Sequence, residues 1–137
     1  MGLYLCIFDG QEEVEGVEIG TYADFNGLRE YLVTKLEGGR AGCRFPTFIL
    51  HSDSDGEWGD LACIDLRNEL NEIISEMKTR APTPFISEWQ NKVARSVGLV
   101  PKNALESFID VDGELLLERI DYLAAIAIAR RLSILFQ

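Results

Sequence analysis

A continuous apolar run near the start of the chain, residues 3–8, constrains the fold more than any other segment. Because Asp9 and Gly10 close this run with a turn dipeptide, the pattern predicts a buried central β-strand that enters a hairpin. Residues 14–19 are predicted to form the second, half-exposed strand, since apolar and acidic residues alternate there. Gly16 shifts the phase of this alternation and predicts a β-bulge.

Helices are predicted from apolar periodicity and from the residues that cap helix ends. The four predicted helices run from the Thr21 cap to Gly38, from about Asp60 to the prolines at 82 and 84, from the Ser87 cap to Gly98, and from Glu114 to Arg131. The third carries Trp89, Val93 and Val97, which are expected to face inward. Residues 102–109 fit either a short helix or a strand, and their composition favours a helix.

Two further segments have strand-like composition. Residues 45–50 predict a middle strand, in which Pro46 is restricted to the strand start or to an edge. Residues 133–136 predict a terminal strand that returns to the sheet, because a frayed tail does not need three large apolar residues. With helices segregated between strands, the chain is predicted to be an α+β domain with a small antiparallel or mixed sheet. Its 137 residues predict a single domain, 1–137.

Acidic residues are concentrated in blocks that contain no Lys or Arg. The chain has 23 acidic and 13 basic residues and a formal net charge of -10. No basic residue precedes Arg29, and further acidic blocks lie between Arg44 and Arg67 and between Lys102 and Arg119. This distribution favours a basic partner and disfavours nucleic acid or an anionic membrane. The same blocks also promote solubility, which is the alternative interpretation.

The cysteines and the apolar segments indicate where the chain resides. Cys6, Cys43 and Cys63 form no C-x-x-C pair, which favours free thiols in a reducing compartment. No run approaches the roughly 18 apolar residues of a membrane span, and the start of the chain lacks the basic residues of a targeting segment. We therefore expect a cytoplasmic protein that binds neither membrane nor nucleic acid.

One stretch contains residue types used in hydrolases. His51, Ser52 and Asp53 are neighbours in sequence, and neighbours on an extended chain point to opposite faces, so they cannot relay a proton. Cys43 with His51 offers a nucleophile and a base, although a structural thiol is favoured. A small hydrolase or transferase that uses His51 with Cys43 or Asp53 is the alternative hypothesis, and no catalytic residue is predicted.

Two segments with the pattern Asp-x-Asp-Gly-Glu, residues 53–57 and 110–114, resemble loops that bind hard cations. Their sixth and twelfth positions lack the Gly and the Glu that an EF-hand loop requires. The aspartates are therefore expected to shape turns and to favour the helix N-termini that follow. No metal and no cofactor are predicted, and a cation-binding or ligand-binding regulatory domain is a further alternative.

Trp58 is a large aromatic residue in an acidic, glycine-flanked loop where no periodicity requires it. Aromatic residues beside charges are common anchors of protein interfaces. An equally compatible interpretation is that the ring folds back over the core as a plug. Both interpretations remain open at the level of the sequence.

Several segments together resemble a known family. The opening residues 1–10, the connection 37–42, the loop 51–58, the turn 108–114 and the ending 134–137 resemble the immunity protein 70 family of bacterial polymorphic toxin systems. The resemblance spans nearly the whole chain. Its most specific elements are the loop 51–58 and the aspartate-rich turn near residue 110.

The resemblance implies a function. Members of that family are predicted to be encoded beside a secreted toxin and to bind it in the producing cell, which implies an inhibitor rather than an enzyme. Because many such toxins are nucleases with basic clefts, an acidic protein could occupy such a cleft as a phosphate mimic. From charge, loop placement and the aromatic residue, the predicted partner-binding residues are Asp53, Asp55, Glu57 and Trp58, followed by Glu12, Glu13 and Glu15 of the first turn.

Overall fold

A computed structural model describes residues 2–137. Over that range the strands are β1 (Gly2–Asp9), β2 (Glu12–Thr21), β3 (Glu57–Trp58) and β4 (Ile134–Phe136). The helices are α1 (Tyr22–Lys35), α2 (Pro46–Ile49), α3 (Asp60–Met77), α4 (Glu88–Val97) and α5 (Leu116–Arg130), and a 3-10 helix covers Leu105–Ser107. The predicted α+β class is confirmed.

The four strands form one antiparallel sheet in the order β2-β1-β4-β3. β1 lies inside the sheet, as its apolar run predicted, and the C-terminal strand β4 lies beside it. Among the strands of residues 2–137, β3 pairs with β4 alone, by Glu57 with Leu135 and Trp58 with Ile134. The position of the segment that precedes β3 is therefore set by the last strand of the fold.

The hairpin of β1 and β2 carries a bulge near the predicted place. The register shifts between Ile7 and Phe8 and leaves Val14 as the extra residue on β2. Gly16 itself pairs with Cys6 in regular register. A glycine is needed at this position because the Tyr4 side chain packs directly against it. A Cβ atom on residue 16 would lie 2.0 Å from the hydroxyl oxygen of Tyr4.

Helices α1, α2, α3 and α5 pack around a single cluster of buried apolar residues on one face of the sheet, and α4 contributes no residue to this cluster. Leu3, Leu5 and Ile7 of β1 supply the floor of this core. α5 contacts β1, β2 and β4 and also packs along α3. The contact between α3 and α5 is the most extensive one between two helices. None of the helices between residues 2 and 137 has the length and apolar character needed to span a membrane.

The predicted middle strand at residues 45–50 is wrong, because this segment forms the short helix α2. Pro46 occupies the first helical turn, where its fixed φ favours a helix start. The buried carboxylate of Glu69 on α3 accepts hydrogen bonds from the backbone N–H groups of Thr47 (3.1 Å) and Phe48 (3.0 Å). A residue distant in sequence thus caps α2, and the third strand forms in the segment predicted as a loop.

The predicted caps of α1 and α4 are confirmed, and Asp24 connects them. Thr21 and Asp24 form a capping box at the start of α1. The same Asp24 carboxylate accepts hydrogen bonds from the Ser87 hydroxyl and, at 3.0 Å, from Nε1 of Trp89. Asp24 therefore fixes α4 against the start of α1.

The inward face predicted for α4 is only partly correct. Gln90 and Ala94 are its buried residues, whereas Trp89 and Val93 are half-buried. Val97 is 54% exposed, so the expectation that it faces inward is wrong. The helix packs through one short stripe near its start, and its last turn extends away from the core.

The segment at 102–109 was predicted as a short helix or a strand, and it contains a helical turn followed by a β-bridge. It forms the 3-10 helix and then an isolated β-bridge between Ile109 and Leu115. This bridge delays the start of α5 to Leu116, two residues later than predicted.

A second buried carboxylate organises the glycine-rich connection after α1. Glu37 is buried, and its two carboxylate oxygens accept hydrogen bonds from the backbone N–H groups of Gly42 (3.0 Å), Arg44 (3.0 Å) and Phe45 (2.9 Å). An unsatisfied buried N–H group is costly, so this side chain determines the path of residues 38–45.

We expect Glu37→Ala to lower the free energy of unfolding by about 2–4 kcal/mol, because it leaves three backbone donors without their acceptor. Urea denaturation followed by circular dichroism measures this loss. Glu30→Ala, at an exposed position of α1, is the matched control and should change stability by less than about 0.5 kcal/mol. Equal effects at the two positions would contradict the organising role of Glu37.

We expect the contribution of Asp24 to depend on pH. Burial alone raises the pKa of Asp24, but hydrogen bonds from Ser87, Thr21 and Trp89 outweigh it and hold the pKa below the ordinary value of 3.8. The charged form is therefore favoured in the folded state, and its stabilisation is complete above pH 3.8 and is lost as the pH falls through the lowered pKa.

Asp24→Asn should accordingly reduce stability by about 1–3 kcal/mol at pH 7. The difference from the original chain should narrow as the pH falls below about 4, and urea titrations from pH 7 down to pH 3 measure it. A difference that is constant across this range would contradict the assignment.

Candidate partner-binding surface

Residues 51–57, here called the acidic loop, lie between α2 and α3 at the β3 edge of the sheet. The hydroxyl oxygen of Ser52 accepts hydrogen bonds from the backbone N–H groups of Ser54 (3.2 Å) and Asp55 (3.4 Å). The Asp53 carboxylate accepts a hydrogen bond of 2.7 Å from the Asn26 side chain on α1. These contacts fix the loop, while Asp55 and Glu57 stay exposed to solvent.

His51 closes the base of the acidic loop. Its Nδ1 and Nε2 atoms each lie 2.9 Å from a backbone carbonyl oxygen, those of Ser52 and Glu57. The imidazole ring also stacks on Phe136 of β4, with a centroid separation of 4.2 Å. Both nitrogens therefore contact the backbone, and the ring ties the two ends of the loop together.

This geometry does not support the alternative hydrolase or transferase site. A general base needs a ring nitrogen directed at the group that it deprotonates. In His51 both nitrogens are directed at the backbone, and the Cys43 thiol donates to the carbonyl oxygen of Glu37 at 3.4 Å. Asp53 is held by Asn26 rather than by His51.

Trp58 lies in the core, with 2% of its surface exposed. Its ring packs edge-on against Phe136 at 4.7 Å and stacks with Phe48 at 6.0 Å, and its Nε1 donates to the carbonyl oxygen of Thr47. The expectation of an exposed interface anchor is wrong, and the plug interpretation is confirmed. Successive residues of a strand face opposite sides, so β3 directs Glu57 outward and Trp58 inward.

A buried cation lies close to the acidic loop. Arg29 of α1 is buried, and its guanidinium carbon lies 4.3 Å from the centre of the Phe25 ring. Burial lowers the pKa of Arg29 to about 10, and the charge of Asp53 acts in the opposite direction. Asp53 is half-buried and its charge acts on this internal cation, whereas Asp55 and Glu57 are the exposed carboxylates of the loop.

The second predicted group lies on β2 rather than in the first turn, which consists of Gly10 and Gln11. Glu12 and Glu13 are exposed, whereas Glu15 is half-buried and accepts a hydrogen bond from the backbone N–H of Gly16. Their expected position in the turn is thus corrected to the adjacent strand.

Glu13 lies on the face of the sheet opposite to the core residues Leu3, Leu5 and Ile7. Its carboxylate accepts a 3.0 Å hydrogen bond from the Tyr4 hydroxyl, and burial together with this carboxylate raises the pKa of Tyr4 to about 12. The pairing places Glu13 beside Phe8, and the row Gly16, Cys6, Leu135 and Glu57 crosses the same face.

The structure therefore brings Glu13 and Glu57 to one face of the sheet but not to one cluster. β2 and β3 are opposite edges of the sheet, separated by three strand spacings, or about 14 Å. Glu15 pairs with Ile7 and belongs to the other face. The two groups can contact the same large partner only if its surface extends across the sheet.

The turn at 110–114 is held by hydrogen bonds between the Asp110 side chain and the backbone of the turn itself. Oδ1 of the buried Asp110 accepts hydrogen bonds from the backbone N–H groups of Asp112 (2.9 Å) and Glu114 (3.0 Å). Burial raises the pKa of Asp110, and Nε of Arg119 lies 3.5 Å from Oδ2. The Asp110 carboxylate is thus paired with a guanidinium of the same chain, and residues 2–137 contain no group of three or more His, Cys, Asp or Glu side chains placed to hold a metal ion.

Two exposed residues were not identified from the sequence. Leu61 and Ile64 on α3 are 75% and 46% exposed. The available signal was helical phase, because both fall outside the stripe formed by Leu66, Leu70 and Ile73. They follow directly after the acidic loop and β3.

Comparison with known proteins gives one family. The family model described as Immunity protein 70 matches residues 3–136, from β1 through β4. No curated protein and no solved structure matches the chain significantly.

We expect Trp58→Ala to lower the free energy of unfolding by about 3–5 kcal/mol, as truncation of a buried aromatic side chain does. Thermal and urea denaturation measure this loss. Asp55→Asn, three residues away and exposed, is the control and should change stability by less than about 0.5 kcal/mol. A Trp58→Ala variant as stable as the original chain would contradict the buried position.

Proposed function

The chain belongs to the immunity protein 70 family, and from this membership we propose that it binds and neutralises a cognate secreted bacterial toxin. The family assigns an immunity function. Direct binding of the toxin in the cytoplasm, without catalysis, is the proposed means. The observation that carries the proposal is the fixed acidic loop, which exposes Asp55 and Glu57 at the edge of the sheet.

The charge around this loop favours a basic partner. No Lys or Arg occurs between Arg44 and Arg67, so the charged side chains of the acidic loop and of the start of α3 are all carboxylates. Arg67 itself is paired with Asp121 at 3.0 Å. Such a surface accelerates association with a positively charged protein, and the effect weakens as salt increases.

A nuclease is the proposed class of toxin. Nucleases bind phosphates through Lys and Arg, and carboxylates held in place offer these residues a similar set of acceptor oxygens. The contacts of Ser52, Asp53 and His51 fix the loop before binding, so little conformational entropy is lost when it meets its partner. Asp53, Asp55 and Glu57 are the proposed contacts, with Glu12, Glu13 and Glu15 as a second group. Trp58 is proposed to support the loop from below.

The test is binding to the toxin encoded beside the gene for this chain, measured by calorimetry at several salt concentrations. We expect tight binding that weakens with salt. Replacing Asp53, Asp55 and Glu57 with Asn, Asn and Gln should weaken it by about 10-fold or more and flatten its salt dependence, because these charges supply the attraction.

The matched control replaces three exposed acidic residues of another block, Asp112, Glu114 and Glu118, with Asn, Gln and Gln. Both variants lose three negative charges, so a difference between their affinities for the toxin reports a local role of the acidic loop. Equal weakening in the two variants would show that net charge alone drives binding. The absence of binding at low salt would refute the proposal.

A further inference from the structure

Two large aliphatic side chains are exposed side by side on the first two turns of α3. Leu61 is 75% exposed and Ile64 is 46% exposed. Residues three apart on a helix are neighbours on its surface, so the two side chains form one apolar patch. We call Leu61 and Ile64 the α3 patch.

The helix that carries the α3 patch is firmly packed. The same two turns contain Cys63 and Leu66, which are completely buried. Trp58, two residues before α3, is also buried, and its Nε1 hydrogen bond to Thr47 ties this part of the chain to α2. The patch is therefore presented by a rigid element.

Carboxylates flank the α3 patch, and its basic neighbour Arg67, three residues after Ile64, is paired with Asp121. Asp60 is four residues before Ile64, and Asp65 is four residues after Leu61, so each lies beside a patch residue on the helix surface. An apolar centre within a charged rim is the arrangement that protein interfaces use.

We infer that Leu61 and Ile64 form the apolar centre of the toxin-binding surface, and that they enter an apolar depression bordered by Lys or Arg on the toxin. This inference rests on the proposed function and names the anchor that Trp58 does not supply. Charge complementarity selects the occupant, because a basic surface pairs with the carboxylates of Asp60 and Asp65.

A second copy of the chain is a less suitable occupant. A two-fold symmetric contact places each patch and its rim opposite an identical patch and rim. The carboxylates would then face carboxylates, and like charges across an interface oppose association. The chain is therefore expected to stay monomeric through this face.

The test compares Leu61→Ala/Ile64→Ala with the original full-length chain in binding to the cognate toxin. The dissociation constant should rise by about 100-fold or more, as expected for two central anchors. The slope of binding against salt should stay unchanged, because the lost contacts are apolar. Thermal denaturation should show a midpoint lowered by only a few degrees, because Leu61 is 75% exposed and Ile64 is 46% exposed.

Val100→Ala is the matched control. Val100 is 78% exposed, similar to Leu61, and lies between α4 and the 3-10 helix, near Lys102. Its truncation should leave the dissociation constant unchanged. An equal loss of affinity in Val100→Ala would overturn the specific role of the α3 patch.

The outcomes separate this inference from the proposed function. If the original chain binds the toxin and the double variant binds equally well, the α3 patch is not the anchor, while the proposed function stands. If the original chain does not bind, the proposed function fails and the inference fails with it. Self-association that the double variant abolishes, measured by light scattering, would identify the patch as a dimer contact and overturn the inference.

Discussion

The rest of the structure depends on the pairing of β4 with β1 on one side and with β3 on the other. This three-residue strand provides the backbone partners of β3, and the N–H of Phe136 donates to the carbonyl oxygen of Gly56 in the acidic loop. The Phe136 ring also packs against His51 and Trp58. One short strand thus supplies both the hydrogen bonds and the aromatic contacts that hold the candidate binding surface on the sheet.

The acidic residues of the chain fall into two groups with different roles. Asp24, Glu37, Glu69 and Asp110 are buried, and each accepts hydrogen bonds from backbone N–H groups that would otherwise be unsatisfied. They stabilise helix starts and loops. Asp55 and Glu57 are exposed and available to a partner. The net charge of the chain therefore overstates the charge of its surface, and the position of each carboxylate matters more than the total.

Local patterns predicted the elements whose signals are local. The apolar run of β1, the helix caps at Thr21 and Ser87 and the helix end at Gly98 all form as expected, because each depends on residues within a few positions. The segment at 45–50 could not be predicted in this way. Its helix depends on Glu69, more than twenty positions away, and no local pattern reveals that partner.

The charge of the candidate surface was predictable from the sequence, but which of its side chains are buried and which are exposed was not. The acidic composition of the loop is visible in the sequence, whereas the inward direction of Trp58 depends on the pairing of β3 with β4. The effect of the Asp53 charge on Arg29 also depends on the packing of α1 below the loop. Leu61 and Ile64 were detectable only by asking which apolar residues of α3 fall outside its buried stripe.

The strand order has a consequence for biosynthesis. During translation β3 emerges long before β4, which is its only partner strand. Until the ribosome has added residues 134–136, the nascent chain has an open edge on β1 and no attachment for β3. Such non-local pairing delays the final folding step and leaves an apolar strand edge accessible to other chains. The acidic loop therefore reaches its final position only after residues 134–136 have been synthesised and have paired with β1 and β3.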